Sequence, residues 1–481
     1  MFLGLDLGTS GLRGVLIDED QIVLAVSEAA YDTQRPYPGW SEQDPHAWIR
    51  ACRAVIRDLV SQNPTAMGAL AGLAVSGHMH GAVLLDNQGG VLRPCIMWND
   101  TRSAREAATL DAQSEVRTLS GNIVFPGFTA PKLAWVARHE PDIFSRIDKV
   151  VLPKDFLTRW LTGHVFSDMS DASGTAWLDV ANRDWSTALL EAGQLRLDHM
   201  PHAVEGTAAI GSVRQELASE MGLPNTVTVA AGAADNAAAA CGIGALNEGD
   251  GFVSLGTSGV LLAARERCAP SPETAVHTFC HPVPARWIQM GVILAATDSL
   301  NWLAGVLQSD AATLTGALGP QISGPGTLQF LPYLSGERTP HNDAAIRGAF
   351  VGLDISTERD DMTRAVLEGV SFALRDSAEA LAETGARLER VTAIGGGAQS
   401  RYWIELLATV LNMPLDLPAR GEFGAALGAA RLAICAVTGA APEAVMTRPD
   451  IAETLHPRAD LVGAYATRYN EFRALYPALK A

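Results

Sequence analysis

Short apolar runs broken by tight polar turns open the chain. Residues 2–7, 12–18 and 21–28 read as three strands, joined by turns that include "DEDQ" at 18–21. That is a meander rather than a βαβ start. After the loop "RPYPGWSEQDP" the period changes. Asp44 can cap a helix, Pro45 suits its first position, and Trp48, Cys52, Val55, Ile56, Leu59 and Val60 fall on one face. "LAGLAVSG" then reads as a buried strand ending at His78. The second half repeats the plan. "GFVSLG", "SGVLLAA" and "RWIQMGVI" form a second strand series, and "MTRAVLEGVSFALRDSAEALAE" is a long helix leading into the strand "RVTAIGG". The duplication is of a whole domain plan, not of a short solenoid unit. The division falls near 245, in "ALNEGDG", giving domains 1–245 and 246–481. A cleft between two similar α/β lobes is a natural place for a ligand and for hinge closure.

One phrase occurs in both halves. Gly8-Thr9-Ser10-Gly11 follows the first strand, and Gly256-Thr257-Ser258-Gly259 follows its later counterpart. Such a hairpin turn presents backbone N–H groups and two hydroxyls, and its glycines let a phosphate approach the backbone. Two of them, one per lobe, can grip a polyphosphate. Only the first copy carries a carboxylate, Asp6, where the second has Ser254. One carboxylate aimed at the phosphates is enough to hold the Mg²⁺ that accompanies them.

Bulk composition narrows the setting. At 481 residues, 48% hydrophobic and 19% charged, the chain exceeds what one core usually supports. A net charge of −17 argues against nucleic acid as a partner. Six cysteines lie far apart with no C-x-x-C, which fits a reducing cytoplasm better than a disulfide scaffold. No signal peptide is read at the start, since Asp6 interrupts the apolar run. The one membrane-like window, "VTVAAGAADNAAAACGIGAL", carries Asp235 and is weakly apolar, so no membrane partner is expected.

Two longer stretches then bear on identity. "GFTAPKLAWVARH" at 127–139 and "GAFVGLDISTERDDMTRAVLE" at 348–368 resemble the two signatures of the FGGY carbohydrate kinases, and the likeness covers essentially the whole chain. Within that family "WSEQDP", "GHMHGAVLLD", "WNDTR", "LPKDFL", "SDMSDASGT" and "FLPYLSGERTPHND" are most similar to the bacterial xylulokinase group. The resemblance implies the two-lobed α/β fold of actin, sugar kinases and Hsp70. Each lobe is then a duplicated ribonuclease H-like mixed sheet flanked by helices, with the active site in the interlobe cleft. It further implies ATP and Mg²⁺, a small sugar as partner, and phosphorylation of D-xylulose to D-xylulose 5-phosphate. Another pentulose, a pentitol or glycerol is the alternative substrate. Relatives are commonly homodimers, and the sequence locates no interface. Neither a G-x-x-x-x-G-K-[ST] loop nor a V-A-I-K-like strand is present.

Asp235, in "AAGAADNAAAACG", sits between a strand-like "TVTVAAG" and a helix start, where Asp235 and Asn236 are good capping residues. The helix dipole there favours the ionised carboxylate, and Asp235 is the candidate general base. With an ordinary pKa of about 3.9 it accepts the hydroxyl proton only late, as the oxygen bonds to phosphorus. Gly232-Ala233-Ala234 precedes it where relatives often have three glycines. "GHMHG" puts His78, Met79 and His80 at the end of an inner strand, where residues 78 and 80 point to the same face. The resemblance puts Met79 and His80 on the sugar, with Trp98, Asp100 and Asn236 as further contacts. On the nucleotide side, Gly8, Thr9, Ser10, Gly256, Thr257 and Ser258 would meet the phosphates. Gly396 and Gly397, in a strand–glycine–helix pattern, would meet the adenosine. Glu337 and Arg338 read as a structural ion pair, and Arg401 is given no role.

Overall fold

The computed structural model describes residues 1–419 and 424–480. The chain divides into two compact units: Met1–Leu246 with Phe279–Trp287 and Phe423–Arg448, and Asn247–Thr278 with Ile288–Glu422 and Pro449–Ala481. The sequence reading assigned everything beyond 245 to one lobe. The structure instead returns two later segments to the first unit.

The first unit is built on a six-stranded sheet. Its strands are β1 (Phe2–Leu7), β2 (Gly11–Ile17), β3 (Val23–Ala30), β4 (Gly72–Gly77), β5 (Ala209–Ser212) and β6 (Thr228–Ala234), in the order β5-β6-β4-β1-β2-β3. The opening meander forms as expected, with β1–β2 and β2–β3 antiparallel. β3 starts later than the apolar pattern implies. Asp18 accepts from Ile22 N at 2.8 Å, and Gln21 takes a φ of 62°, so the turn uses those residues. β4 lies parallel to both β1 and β6 and is buried along its whole length, as a central parallel strand must be. Helix α1 (Pro45–Gln62) starts where Asp44 Oδ1 accepts from His46 N at 3.0 Å. It buries Trp48, Cys52, Val55, Ile56 and Leu59. Three further helices matter below: α2 (Thr129–His139), α3 (Pro153–Thr162) and α4 (Asp235–Ile243).

The second unit has a seven-stranded sheet: β7 (Gly251–Leu255), β8 (Gly259–Arg265), β9 (His277–Cys280), β10 (Trp287–Ile293), β11 (Val391–Ile394), β12 (Leu415–Pro418) and β13 (Ile451–Leu455). Their order is β9-β10-β8-β7-β11-β12-β13. β7–β8 is antiparallel, β7–β11 and β11–β12 are parallel, and an antiparallel edge closes the sheet. The first sheet has the same scheme, a hairpin flanked by parallel strands and an antiparallel edge. Helix α5 (Thr297–Val306) packs on α6 (Arg359–Glu383), and α6 and α7 (Arg401–Leu411) pack on the second sheet.

Helix α8 (Ala425–Thr438) explains the return to the first unit. A Cβ on Gly4 of β1 would lie 1.7 Å from the Ala426 carbonyl oxygen, and one on Gly428 would lie 1.7 Å from that of Ala238. The alanine- and glycine-rich stretch around Asp235 is therefore a close helix-packing surface. Among the described residues no helix is long and apolar enough to cross a membrane.

Candidate active site

Each hairpin turn has its carbonyls pinned from behind. In the first, Gly8 N donates to Gly11 O at 3.0 Å, and the Tyr31 hydroxyl donates to the carbonyls of Gly8 and Gly11. Gln43 Nε2 holds Thr9 O at 2.6 Å, and Tyr31 N holds Ser10 O at 3.1 Å. In the second, Gly256 O accepts from Thr297 N at 2.9 Å and from Thr297 Oγ1 at 2.7 Å. Thr257 O accepts from Ala296 N at 2.8 Å. The start of α5 thus does for one turn what Tyr31 and Gln43 do for the other. With the carbonyls engaged, each turn offers its amides and hydroxyls outward.

Asp6 lies on β1 opposite Ser76 of β4, and Ser76 Oγ donates to its Oδ1 at 2.9 Å. Burial raises the Asp6 carboxyl above its ordinary range, against the pull of Ser76 and Arg13. Asp235 follows β6 directly and is the first residue of α4. It is not a cap: the cap position is Ala234, which has no side-chain hydrogen bond. Its Oδ1 accepts from Asn236 N at 2.6 Å and Asn236 Nδ2 at 3.0 Å. Burial, then the negative charge of Asp6, pushes its pKa up to about 7 against those two bonds. The expectation of an ordinary, readily ionised aspartate is therefore corrected; desolvation outweighs the two Asn236 hydrogen bonds. Gly232, at φ 83°, is where β6 crosses β4 too closely for any side chain, since a Cβ would sit 1.9 Å from Val75 O.

Behind this junction lies a charged cluster whose motifs the sequence reading quoted without assigning roles. Ala234 N donates to Ser170 Oγ at 3.0 Å, and Ser170 Oγ donates to Asp168 Oδ2. Asp168 Oδ1 pairs with Lys154 Nζ at 2.8 Å, and Asp155 pairs with the same ammonium. Asp171 completes the group, its carboxyl raised well above the usual range by burial despite Lys154. All four ionisable side chains are buried. The available signal was a lysine and three aspartates inside two otherwise apolar or small-residue motifs.

The "GHMHG" segment departs from strand geometry. β4 ends at Gly77, and His80 adopts a φ of 71°, so alternation does not carry through to it. His78 is a core residue set edge-on to Trp48 at 5.7 Å, its pKa driven down to about 3 mainly by burial. His80 donates from Nδ1 to Gly174 O at 2.6 Å and stacks on Phe128 with ring centroids 4.6 Å apart. Met79 is buried beside it. Trp98 is 41% exposed and donates from Nε1 to Thr9 Oγ1 at 3.1 Å, which ties it to the first hairpin. Asp100 has a different task from the one expected. Its carboxylate accepts from Ser41 N at 2.6 Å, from Arg102 N and Nε at 2.9 Å, and from Arg102 Nη2 at 2.6 Å. Buried and fully engaged, it leaves no lone pair for a sugar.

In the second unit a cavity of about 650 Å³ is lined by Thr297, Leu300, Gly316, Gly396, Gly397 and Ser400, among others. A 3-10 turn, Gly396–Gln399, separates β11 from α7, so the strand does not lead straight into the helix. A Cβ on Gly397 would come within 2.7 Å of Leu255 Cβ, whereas Gly396 faces open space. Arg401 pairs with Glu453 at 2.8 Å. Glu337 accepts from Leu294 N at 3.0 Å and Arg338 N at 2.7 Å. Among the described residues no group of three or more His, Cys, Asp or Glu side chains forms a metal cage.

Two units of matching sheet plan, each with a glycine turn offering amides, define a phosphotransferase scaffold. Residues 1–242 match the N-terminal domain and residues 251–437 the C-terminal domain of the FGGY family of carbohydrate kinases, and the chain belongs to that family. Its fold and enzyme class are those read from the motifs: a phosphotransferase acting on a small sugar and a nucleotide. The chain is 44% identical to the xylulose kinase of Escherichia coli (strain K12), over 100% of this chain and 99% of that protein. A crystal structure of a "xyloylose kinase" from Brucella ovis superposes with a TM-score of 0.98 at 54% identity, covering 99% of both chains. The xylulose kinase of Rhodospirillum rubrum gives a TM-score of 0.92 at 32% identity, over 99% of this chain and 98% of that one.

Proposed function

We propose that this kinase transfers the γ-phosphoryl group of ATP to D-xylulose, giving D-xylulose 5-phosphate and ADP, with Asp235 as general base. The observation that carries the mechanism is a buried carboxyl at a strand–helix junction, poised near neutrality by desolvation and by Asp6. A base matched to neutral pH takes the hydroxyl proton as the oxygen bonds to phosphorus and the bond to the ADP oxygen breaks. Met79, His80, Trp98 and Asn236 bind the sugar. Asp100 acts behind them, fixing Arg102 and the Ser41 backbone. Thr9 and Ser10, with Gly256, Thr257 and Ser258, donate to the phosphates; Gly8, expected among them, instead closes the turn with its amide on Gly11 O, and Gly396 and Gly397 border the adenosine cavity.

Asp6 is the residue to hold Mg²⁺. The fit rests on its hard carboxylate donor, with one oxygen already oriented by Ser76. Mg²⁺ is usually held by one or two carboxylates together with substrate phosphates and water. Once bound it would supply charge neutralisation of the phosphates.

D-Xylulose is favoured over other pentuloses, pentitols and glycerol by the full-length similarity to xylulose kinases. Cys52, Cys95, Cys241 and Cys435 are buried free thiols, which fits a reducing cytoplasm as the setting. An ADP-release assay across D-xylulose, D- and L-ribulose, the pentitols and glycerol tests the substrate. A kcat/KM for D-xylulose no higher than for the others overturns it. Asp235→Asn is expected to lower kcat by about 10²-fold or more while sparing ATP binding, and near-normal turnover in that variant rejects the base.

A further inference from the structure

Lys132 is wholly buried on the first turn of α2, and among the described residues no carboxylate lies in ion-pair contact with it. Its Nζ donates to the carbonyl of His80 at 2.7 Å and to that of Gly127 at 2.7 Å. Thr129 Oγ1 adds a third bond, to His80 O at 3.2 Å. Burial is costly for an ammonium, and it pushes the pKa down to about 7 against the opposing pull of Cys95 and Asp100. Such a placement calls for a compensating role.

The two carbonyls it holds belong to two loops. His80 is a non-glycine residue in the left-handed region, a conformation that persists only where surrounding contacts over-determine it. Gly127 abuts the loop of Trp98: a Cβ there would lie 2.3 Å from Trp98 O. A further glycine closes the arrangement, since a Cβ on Gly174 would lie 2.6 Å from His80 Nδ1 and 2.7 Å from Met79 Cε. His80 is thus fixed at its carbonyl by Lys132 and Thr129, at its ring face by Phe128, and at Nδ1 by Gly174 O.

We propose that Lys132 is the positioning residue of the sugar site, its ammonium clamping the His80 and Gly127 main chains so that Met79, His80 and Trp98 present one preformed surface. This rests on the assignment of those side chains to the sugar. Lys132 touches no substrate. Its loss acts chiefly on sugar binding, and the phosphate hairpin feels it only through the Trp98–Thr9 hydrogen bond. It also accounts for a lysine buried on the first turn of a helix beside Thr129.

The test compares Lys132→Met, Thr129→Val and His80→Ala with the wild type, measuring KM for D-xylulose, KM for ATP and kcat. Lys132→Met is expected to raise the sugar KM by about tenfold or more, from the loss of two charge-assisted hydrogen bonds. ATP KM is expected to stay within about twofold of wild type. Thr129→Val, which removes only the weaker third bond, is expected to raise the sugar KM by about threefold. Should Lys132→Met not fold, an unchanged sugar KM in Thr129→Val overturns the clamp. If His80→Ala weakens sugar binding but folded Lys132→Met does not, the clamp is overturned alone. If His80→Ala leaves sugar binding unchanged, the assignment of this loop to the sugar falls, and the clamp with it.

Discussion

A carboxyl withdrawn from water keeps its proton to higher pH, and Asp235 is the clearest case here. Its raised value fixes the sign of the pH response. The base works only when ionised, so kcat/KM should rise with pH through about 7 and then level off. A limb near the ordinary aspartate value would contradict the burial argument. In Asp235→Asn the limb should vanish along with most of the activity. Because Asp6 contributes to the shift, Asp6→Asn should move any remaining limb to lower pH. A pH profile of that variant, identical to wild type in its limb, would separate the two carboxyls. Asp6 and Asp235 were legible in the sequence because a charge in an apolar or alanine-rich run stands out. Asp100 was not. Its partner Ser41 lies 59 residues away in the chain, and no local pattern reveals that all its lone pairs are used.

At the scale of elements, small residues decide which segments approach. Helix α8 packs against β1 and α4 through positions where a methyl group has no room. Gly428→Ala places a Cβ against the Ala238 backbone, a contact that no flexible side chain can relieve. A loss of about 3 kcal/mol or more is expected. A urea midpoint within error of wild type would show that α8 can shift instead. Hairpins, the capped helix α1 and the strand before Asp235 were all readable, because their signals are local: turn residues, a cap, a period. The strand β9 and the 3-10 turn after β11 were not read. Short elements carry too few residues to set a period.

For the whole molecule, buried acids set the response of stability to pH. Glu337, Glu368 and Asp376 in the second unit are pushed up to about 8, 7 and 6 respectively, in each case chiefly by burial. A carboxyl whose folded pKa exceeds its unfolded one binds more protons in the native state. Its contribution is fully present below about pH 4 and is lost as pH rises through the folded value. Through these three acids stability should fall between about pH 5 and 8, and Glu337→Gln should flatten the upper part of their contribution relative to wild type. Chemical denaturation at several pH values checks this; parallel curves for the two proteins would reject it.

Sequence by itself determined the duplicated plan, the two Gly-Thr-Ser-Gly turns, the family and the acids that stand out from their surroundings. All of these are set by residue type and near-neighbour spacing. Tertiary structure alone decided that residues 424–448 belong with the first unit, that Asp100 is consumed by Arg102, that Lys132 grips two loops, and that burial pushes the Asp235 carboxyl up to about 7. Each of these depends on which distant groups exclude water from a site or fill its hydrogen bonds, and chain order does not encode that directly.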